Sequence, residues 1–170
     1  MTTAKAITKG YFPFGAVMIS EKVATVFEAD KTSFGSIGHG YAYSGHPVGA
    51  AAALATLRET ARIDTASNAA ARGAELMAGL EGLKAKHELV GDIRGIGLMA
   101  ALELVSDRAK KTSAAKDVVQ EAYDSAYEAG VMVRTSGANV IISPPLVITA
   151  ADLGRIIAAL DVGLSAAEGR

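Results

Sequence analysis

The spacing of apolar residues along this chain changes several times, and each change marks a new element. Residues 14 to 19, FGAVMI, form a short unbroken apolar run behind Pro13, which predicts a buried strand. Ser20 is a plausible N-cap for EKVATVFE, where Val23, Val26 and Phe27 recur at helical spacing, so a short helix is expected over Ser20 to Glu28. From Ala29 to Ser44 neither period holds. Glycine, serine and aromatic residues dominate there and predict a long loop, the kind of segment that often carries function. Pro47 suits a first helical turn, where its missing N–H would have been unpaired anyway, and VGAAAALATLRETAR continues the helix.

The pattern predicts a second helical segment from Asp64 to His87, with Ala70, Leu76, Leu80 and Leu83 as its apolar stripe opposite Arg72, Glu75 and Lys84. The period then switches. ELVGDIRGIGLMAALELV alternates and carries glycines, which predicts two strands joined by a turn at Gly95 to Gly97. Helix returns over 114 to 129 and ends at Gly130. VMVRTSGANVIISPP predicts a hairpin turning at Ser136 to Asn139 and stopped by Pro144 and Pro145. Thr149 with Asp152 resembles a capping box. It opens a last helix with Leu153, Ile156, Ile157, Leu160 and Leu164 on one face. Residues 65–170 thus read as an α+β unit of helices packed on a small, mostly antiparallel sheet, distinct from residues 1–64.

Half of the 170 residues are apolar, enough for one domain with a real core or a small domain carrying part of another. The formal net charge is −1, from 17 basic and 18 acidic residues, so no long-range field draws the chain to nucleic acid or an anionic membrane. A small molecule or another protein is the expected partner. There is no cysteine, which removes disulfides and thiolate metal sites. Of the three histidines, His39 and His46 share a loop, but no carboxylate or third imidazole stands at ligand spacing, and no metal is expected. The apolar stretches fall short of the ~20 residues that span a bilayer, and no signal segment opens the chain, so the expected location is the cytoplasm.

Lys5 is the residue whose context suggests chemistry. A lysine attacks a carbonyl only as the free amine, so its pKa must fall through desolvation or a nearby positive charge. A place between a strand end and a tight turn can bury the amine, while Gly10, Pro13 and Gly15 let the backbone approach a flat ligand closely. The plain alternative is a turn between two strands.

Four ordered motifs carry a family resemblance: AKAITKGYFPFGAV at 4–17, HGYAYSGHPVGAAAALA at 39–55, VGDIRGIGLMAALELV at 90–105 and GVMVRTSGANVIISPPLVIT at 130–149. Together they resemble the carboxy-terminal part of the class III (omega) aminotransferases, pyridoxal-phosphate enzymes of fold type I. The resemblance implies an α/β family fold. Residues 1–64 would be the end of the large cofactor-binding domain with its interdomain helix, and 65–170 the small carboxy-terminal domain. It implies that Lys5 forms a Schiff base with the C4′ aldehyde of pyridoxal 5′-phosphate and later moves a proton between substrate Cα and C4′. The reaction would move an amino group from an amine or amino acid to a keto acid or aldehyde.

By the same resemblance Arg134 is the arginine that swings toward a substrate carboxylate, a role that suits its bidentate fork. The alternative is an exposed strand arginine. Arg94 is taken as structural, pairing with a carboxylate such as Asp92. The family usually has threonine where this chain has Ala42, and there its hydroxyl and N–H reach the phosphate of the cofactor held by the partner subunit. Alanine keeps the N–H and loses a hydroxyl worth ~1.5 to 3 kcal/mol, roughly one or two powers of ten in affinity. Tyr43, Ser44 and His46 fit the motif. Lys9 departs from it, and could depress the pKa of Lys5 if the two ammonium groups come close.

Family members are more than twice as long, and their amino-terminal portion supplies the ring-pairing aspartate, the stacked aromatic residue and most phosphate contacts. Two expectations follow: an aminotransferase working through Lys5, or a non-catalytic truncated remnant acting as a weak cofactor-binding or association module. Uncovered apolar strands favour a homodimer or higher oligomer in either case.

Overall fold

Turn and cap chemistry sets most element boundaries. A computed structural model describes residues 1–29 and 38–169, and in it the chain divides into two compact units, Met1–Ile63 and Asp64–Arg170. Among the described residues no helix is long and apolar enough to cross a membrane.

In the first unit, strand β1 (Thr2–Ala4) pairs antiparallel with β2 (Gly15–Val17), so that Thr2 faces Val17 and Ala4 faces Gly15. Between them lies a 3-10 turn, Lys5–Thr8, followed by Lys9 and Gly10 at φ 52° and 85°. The expected buried strand over FGAVMI needs correction. It exists only as Gly15–Val17, with Ala16 half-buried but Val17, Met18 and Ile19 exposed, because β1 pairs with one edge of the strand and leaves the face that carries Val17 open. Helix α1 (Glu21–Ala29) follows and buries none of its residues. Of the loop expected over 29–44, residues 30–37 lie outside the described residues, and 42–45 form a turn. Pro47 does start a helix: α2 (Pro47–Arg62) carries it in its first turn and packs against the Lys5–Thr8 turn.

The second unit begins where Asp64 caps helix α3 (Thr65–Lys86), its side chain accepting from the Ser67 N–H at 3.3 Å. The alternating segment forms β3 (Val90–Ile96) and β4 (Met99–Asp107). Gly97 supplies the left-handed φ of 54° that their tight turn requires. The turn is therefore Gly97–Leu98, and Gly95 belongs to β3. A short strand β5 (Thr112–Ser113) pairs with the far end of β4. Helix α4 (Lys116–Glu128) comes next, with Gly130 just past its end at φ 92°. Strands β6 (Arg134–Ser136) and β7 (Asn139–Ile142) make the expected hairpin, and α5 (Ala150–Glu168) closes the chain. Thr149 accepts from the Asp152 N–H at 3.1 Å, which is half of the expected capping box.

The sheet order is β3-β4-β7-β6 and every pair is antiparallel. Ala100, Leu102 and Leu104 of β4 and Val140 and Ile142 of β7 turn one face inward. They meet Leu76, Leu80 and Leu83 of α3 and Leu153, Leu160 and Leu164 of α5 in one apolar core. Ala70, expected on the apolar stripe of α3, is exposed, and the smaller Gly73 takes the buried position one turn on. On the opposite sheet face Arg94 donates to Asp92 at 2.8 Å, to Glu103 and to Asn139 at 2.7 Å, the structural pairing expected of it with two further partners.

Two polar features had no sequence signal. His87, 2% exposed, meets Asp161 at 2.6 Å through Nε2 and Glu168 at 2.8 Å through Nδ1. Arg108 donates to the carbonyls of Lys84, His87 and Val90, and so pins the connection from α3 to β3. Both depend on partners brought together from separate elements.

Candidate active site

Lys5 begins its turn at φ 55°, a left-handed value that a residue with a side chain rarely adopts. The segment folds this way because Thr8 anchors it. Thr8 is 1% exposed, and its Oγ1 donates to the Phe12 carbonyl at 2.6 Å, while the Tyr11 N–H donates to the Thr8 carbonyl at 3.0 Å. Lys5 itself is exposed, unlike the sheltered amine expected from its motif, since only Thr8 of the turn is buried within this unit. Among the described residues Lys5 has no hydrogen-bond or ion-pair partner. Its amine is therefore available.

The second group of expected residues sits in the turn that leads into α2. The Ser44 N–H donates to the Tyr41 carbonyl at 2.9 Å, and the Tyr41 N–H to Ser44 Oγ at 2.9 Å. The His46 N–H closes the turn onto the Tyr43 carbonyl at 3.2 Å. The N–H groups of Ala42 and Tyr43 are left without partners among the described residues, and both residues are exposed. Two adjacent unpaired N–H groups suit an anionic oxygen, and a free amine suits an aldehyde. The donor set thus fits a phosphate-bearing aldehyde cofactor.

One arrangement here escaped sequence reasoning: the His46 ring lies against those of Phe12 and Tyr43. The two motifs are far apart in the chain, and only the packing of the Lys5–Thr8 turn on α2 pairs them. The signal was limited to the presence of aromatic residues in both.

Arg134 belongs to the other unit. It opens edge strand β6 opposite Ile141, is exposed, and has no ion-pair partner among the described residues. A cavity of about 370 Å³ beside this hairpin is lined by Val131, Val133, Ile142, Pro144 and Arg155, and Arg134 stands outside it. The structure thus places Lys5, Ala42 and Tyr43 in one unit and Arg134 in the second.

A lysine turn packed on a helix, in a chain whose other unit is an antiparallel sheet backed by helices, is the architecture of a known transaminase class. The chain belongs to the class III aminotransferases: the Aminotransferase class-III family model matches residues 1–163. It is 38% identical over 162 residues to the uncharacterized aminotransferase y4uB of Sinorhizobium fredii, a match covering 93% of this chain and 35% of that protein. It is 33% identical over 176 residues to the taurine–pyruvate aminotransferase of Bilophila wadsworthia, covering 99% and 39%. An amine transaminase from an uncultivated Pseudomonas species, solved in its PLP-bound form, superposes with a TM-score of 0.91 at 39% identity, over 96% of this chain and 37% of that one. The chain therefore spans between a third and two fifths of the length of these relatives.

Proposed function

We propose that this chain takes part in pyridoxal-phosphate-dependent transamination between an amine or amino acid and a keto acid or aldehyde. The observation that carries the reading is the unpaired Lys5 amine, standing at the head of the family's lysine motif. When bound, pyridoxal 5′-phosphate supplies an aldehyde that condenses with primary amines and a ring that accepts the electron pair released at substrate Cα. Lys5 Nζ is the amine that holds the cofactor. As a free amine, the same nitrogen would take the proton from substrate Cα as base and deliver it to the cofactor's C4′ as acid.

Ala42 and Tyr43 contribute two backbone N–H donors to a phosphate. Ala42 adds no hydroxyl, so the grip rests on the main chain. Arg134 is proposed to bind substrate carboxylate through its guanidinium fork. Residues 1–63 leave Lys5 exposed. A second copy of the chain, laid on the exposed Val17, Met18, Ile19, Leu54 and Leu57, is the proposed cover, which makes the working form a homodimer.

The test is to mix purified protein with pyridoxal phosphate, record the imine absorbance band, and repeat with Lys5→Ala. A band that requires Lys5, followed by turnover of an amine donor with pyruvate, is the expected result. No band in either protein overturns the reading.

A further inference from the structure

Phe12, His46 and Tyr43 form a contiguous run of rings in the Met1–Ile63 unit. The Phe12 and His46 centroids lie 4.9 Å apart with the planes at 36°, and those of His46 and Tyr43 lie 5.8 Å apart at 46°. Both separations fall in the range of about 4.5 to 7 Å where aromatic pairs attract. Each end of the run is tied to a different part of the candidate site. Phe12 is held through its carbonyl by Thr8 Oγ1 at 2.6 Å, and Thr8 ends the turn that Lys5 begins. Tyr43 is one of the two residues whose N–H groups await an acceptor.

The middle of the run is anchored on a helix. The His46 carbonyl accepts from the Ala50 N–H at 3.1 Å, and Pro47 starts α2 immediately after it. Gly49 makes the approach possible. A Cβ at that position would lie 2.8 Å from ring carbons of both Phe12 and Phe14, so any side chain there would lift the rings off the helix. Nδ1 of His46 is buried and has no hydrogen-bond partner. The contacts that hold the imidazole are its two ring neighbours, Phe12 and Tyr43.

We infer that His46 is a positioning residue whose ring is the strut between the Lys5 turn and the Ala42–Tyr43 turn. It fixes where the two phosphate donors stand relative to the lysine segment. The position is set in the same way whether those donors serve this chain's cofactor or that of a second copy. Only the identity of the ligand rests on the transamination reading; the strut itself is a property of the unliganded chain.

Two measurements test it. The first is ¹⁵N relaxation on the unliganded protein. His46→Ala should lower the order parameters of both 8–12 and 41–45 and leave 64–169 unchanged, while His46→Phe, which keeps a ring and discards the idle nitrogen, should retain them. Unchanged order in either segment of His46→Ala overturns the inference. The second compares imine formation at Lys5 with pyridoxal phosphate and with pyridoxal, which lacks the phosphate. His46→Ala should weaken the first by roughly three- to tenfold, leave the second unaltered, and be rescued by His46→Phe. Equal weakening of both aldehydes, or of neither, overturns the positioning role. If wild type binds neither aldehyde, the transamination reading fails, and the relaxation result alone decides whether the strut exists.

Discussion

Lys5 and Lys9 bracket the lysine turn in left-handed backbone, at φ 55° and 52°, where a β-carbon costs on the order of 1 kcal/mol. Glycine would adopt that conformation freely, so a lysine at position 5 is held there against local preference. Lys5→Gly is therefore expected to raise the stability of the protein by about 0.5 to 1 kcal/mol while eliminating the imine band. Urea denaturation and the pyridoxal phosphate spectrum read the two effects separately, and a loss of stability would show that the side chain supports the fold. Arg134 has the opposite profile, since it is exposed and free of ion pairs. Arg134→Ala should leave the denaturation midpoint in place and reduce turnover of carboxylated substrates more than that of simple amines; an equal loss refutes the carboxylate role. Lys5, Ala42, Tyr43 and Arg134 could be proposed from the sequence alone because each sits inside a contiguous motif. The contact of His46 with Phe12 was not, because a ring pair between two motifs depends on how a turn packs on a helix.

Elements announced by local chemistry were legible in the sequence: Pro47 starting α2, Thr149 before α5, and glycine in the hairpin turns. What local pattern could not reveal was which apolar face would be covered. FGAVMI reads as a buried strand, yet its Val17, Met18 and Ile19 are exposed within their unit, and Ala70 reads as core and faces solvent. The crossing of α4 and α5 belongs to the same hidden class. Gly163 is buried, and a Cβ there would run into the Ala122 carbonyl oxygen of α4. Gly163→Ala should push the helices apart and cost about 1 to 3 kcal/mol, despite the better helix propensity of alanine. A neutral or stabilising result by thermal melting would show that the helices separate without strain.

The clamp between the ends of α3 and α5 adds a pH dependence. Lys86 and then His87 hold Asp161 below the ordinary carboxylate range. Burial pushes Glu168 up, but His87, the Leu89 N–H and Arg108 together bring it below that range too. Carboxylates depressed in the folded state contribute stability that is complete above their unfolded pKa and is lost as pH falls through the folded values. The urea midpoint should drop on acidification below about pH 4, and the drop should shrink in Asp161→Asn. An unchanged acid slope in that variant would remove Asp161 from the clamp.

At the level of the whole molecule the two units differ in how much each buries. Asp64–Arg170 holds the continuous core of leucine, valine and isoleucine between sheet and helices. Among the described residues of Met1–Ile63 only Thr8, Gly49 and Ala53 are buried, and α1 buries nothing. Apolar burial is the main favourable term in folding, so the first unit has little of its own to oppose the entropy of ordering. Its exposed valines, leucines and aromatic residues leave a large apolar surface open within that unit. Local opening should therefore be confined to the first unit. Under limited trypsin digestion the first cuts are expected within 1–63, at Lys5, Lys9, Lys22, Arg58 or Arg62, leaving a resistant core that begins near Asp64. That core, produced on its own, should melt at the temperature of the upper transition of the full chain. Addition of pyridoxal phosphate should slow cleavage at Lys5 and Lys9 without altering the core. Simultaneous digestion of both units would instead mean that they open together, and would refute the expectation that opening is confined to residues 1–63.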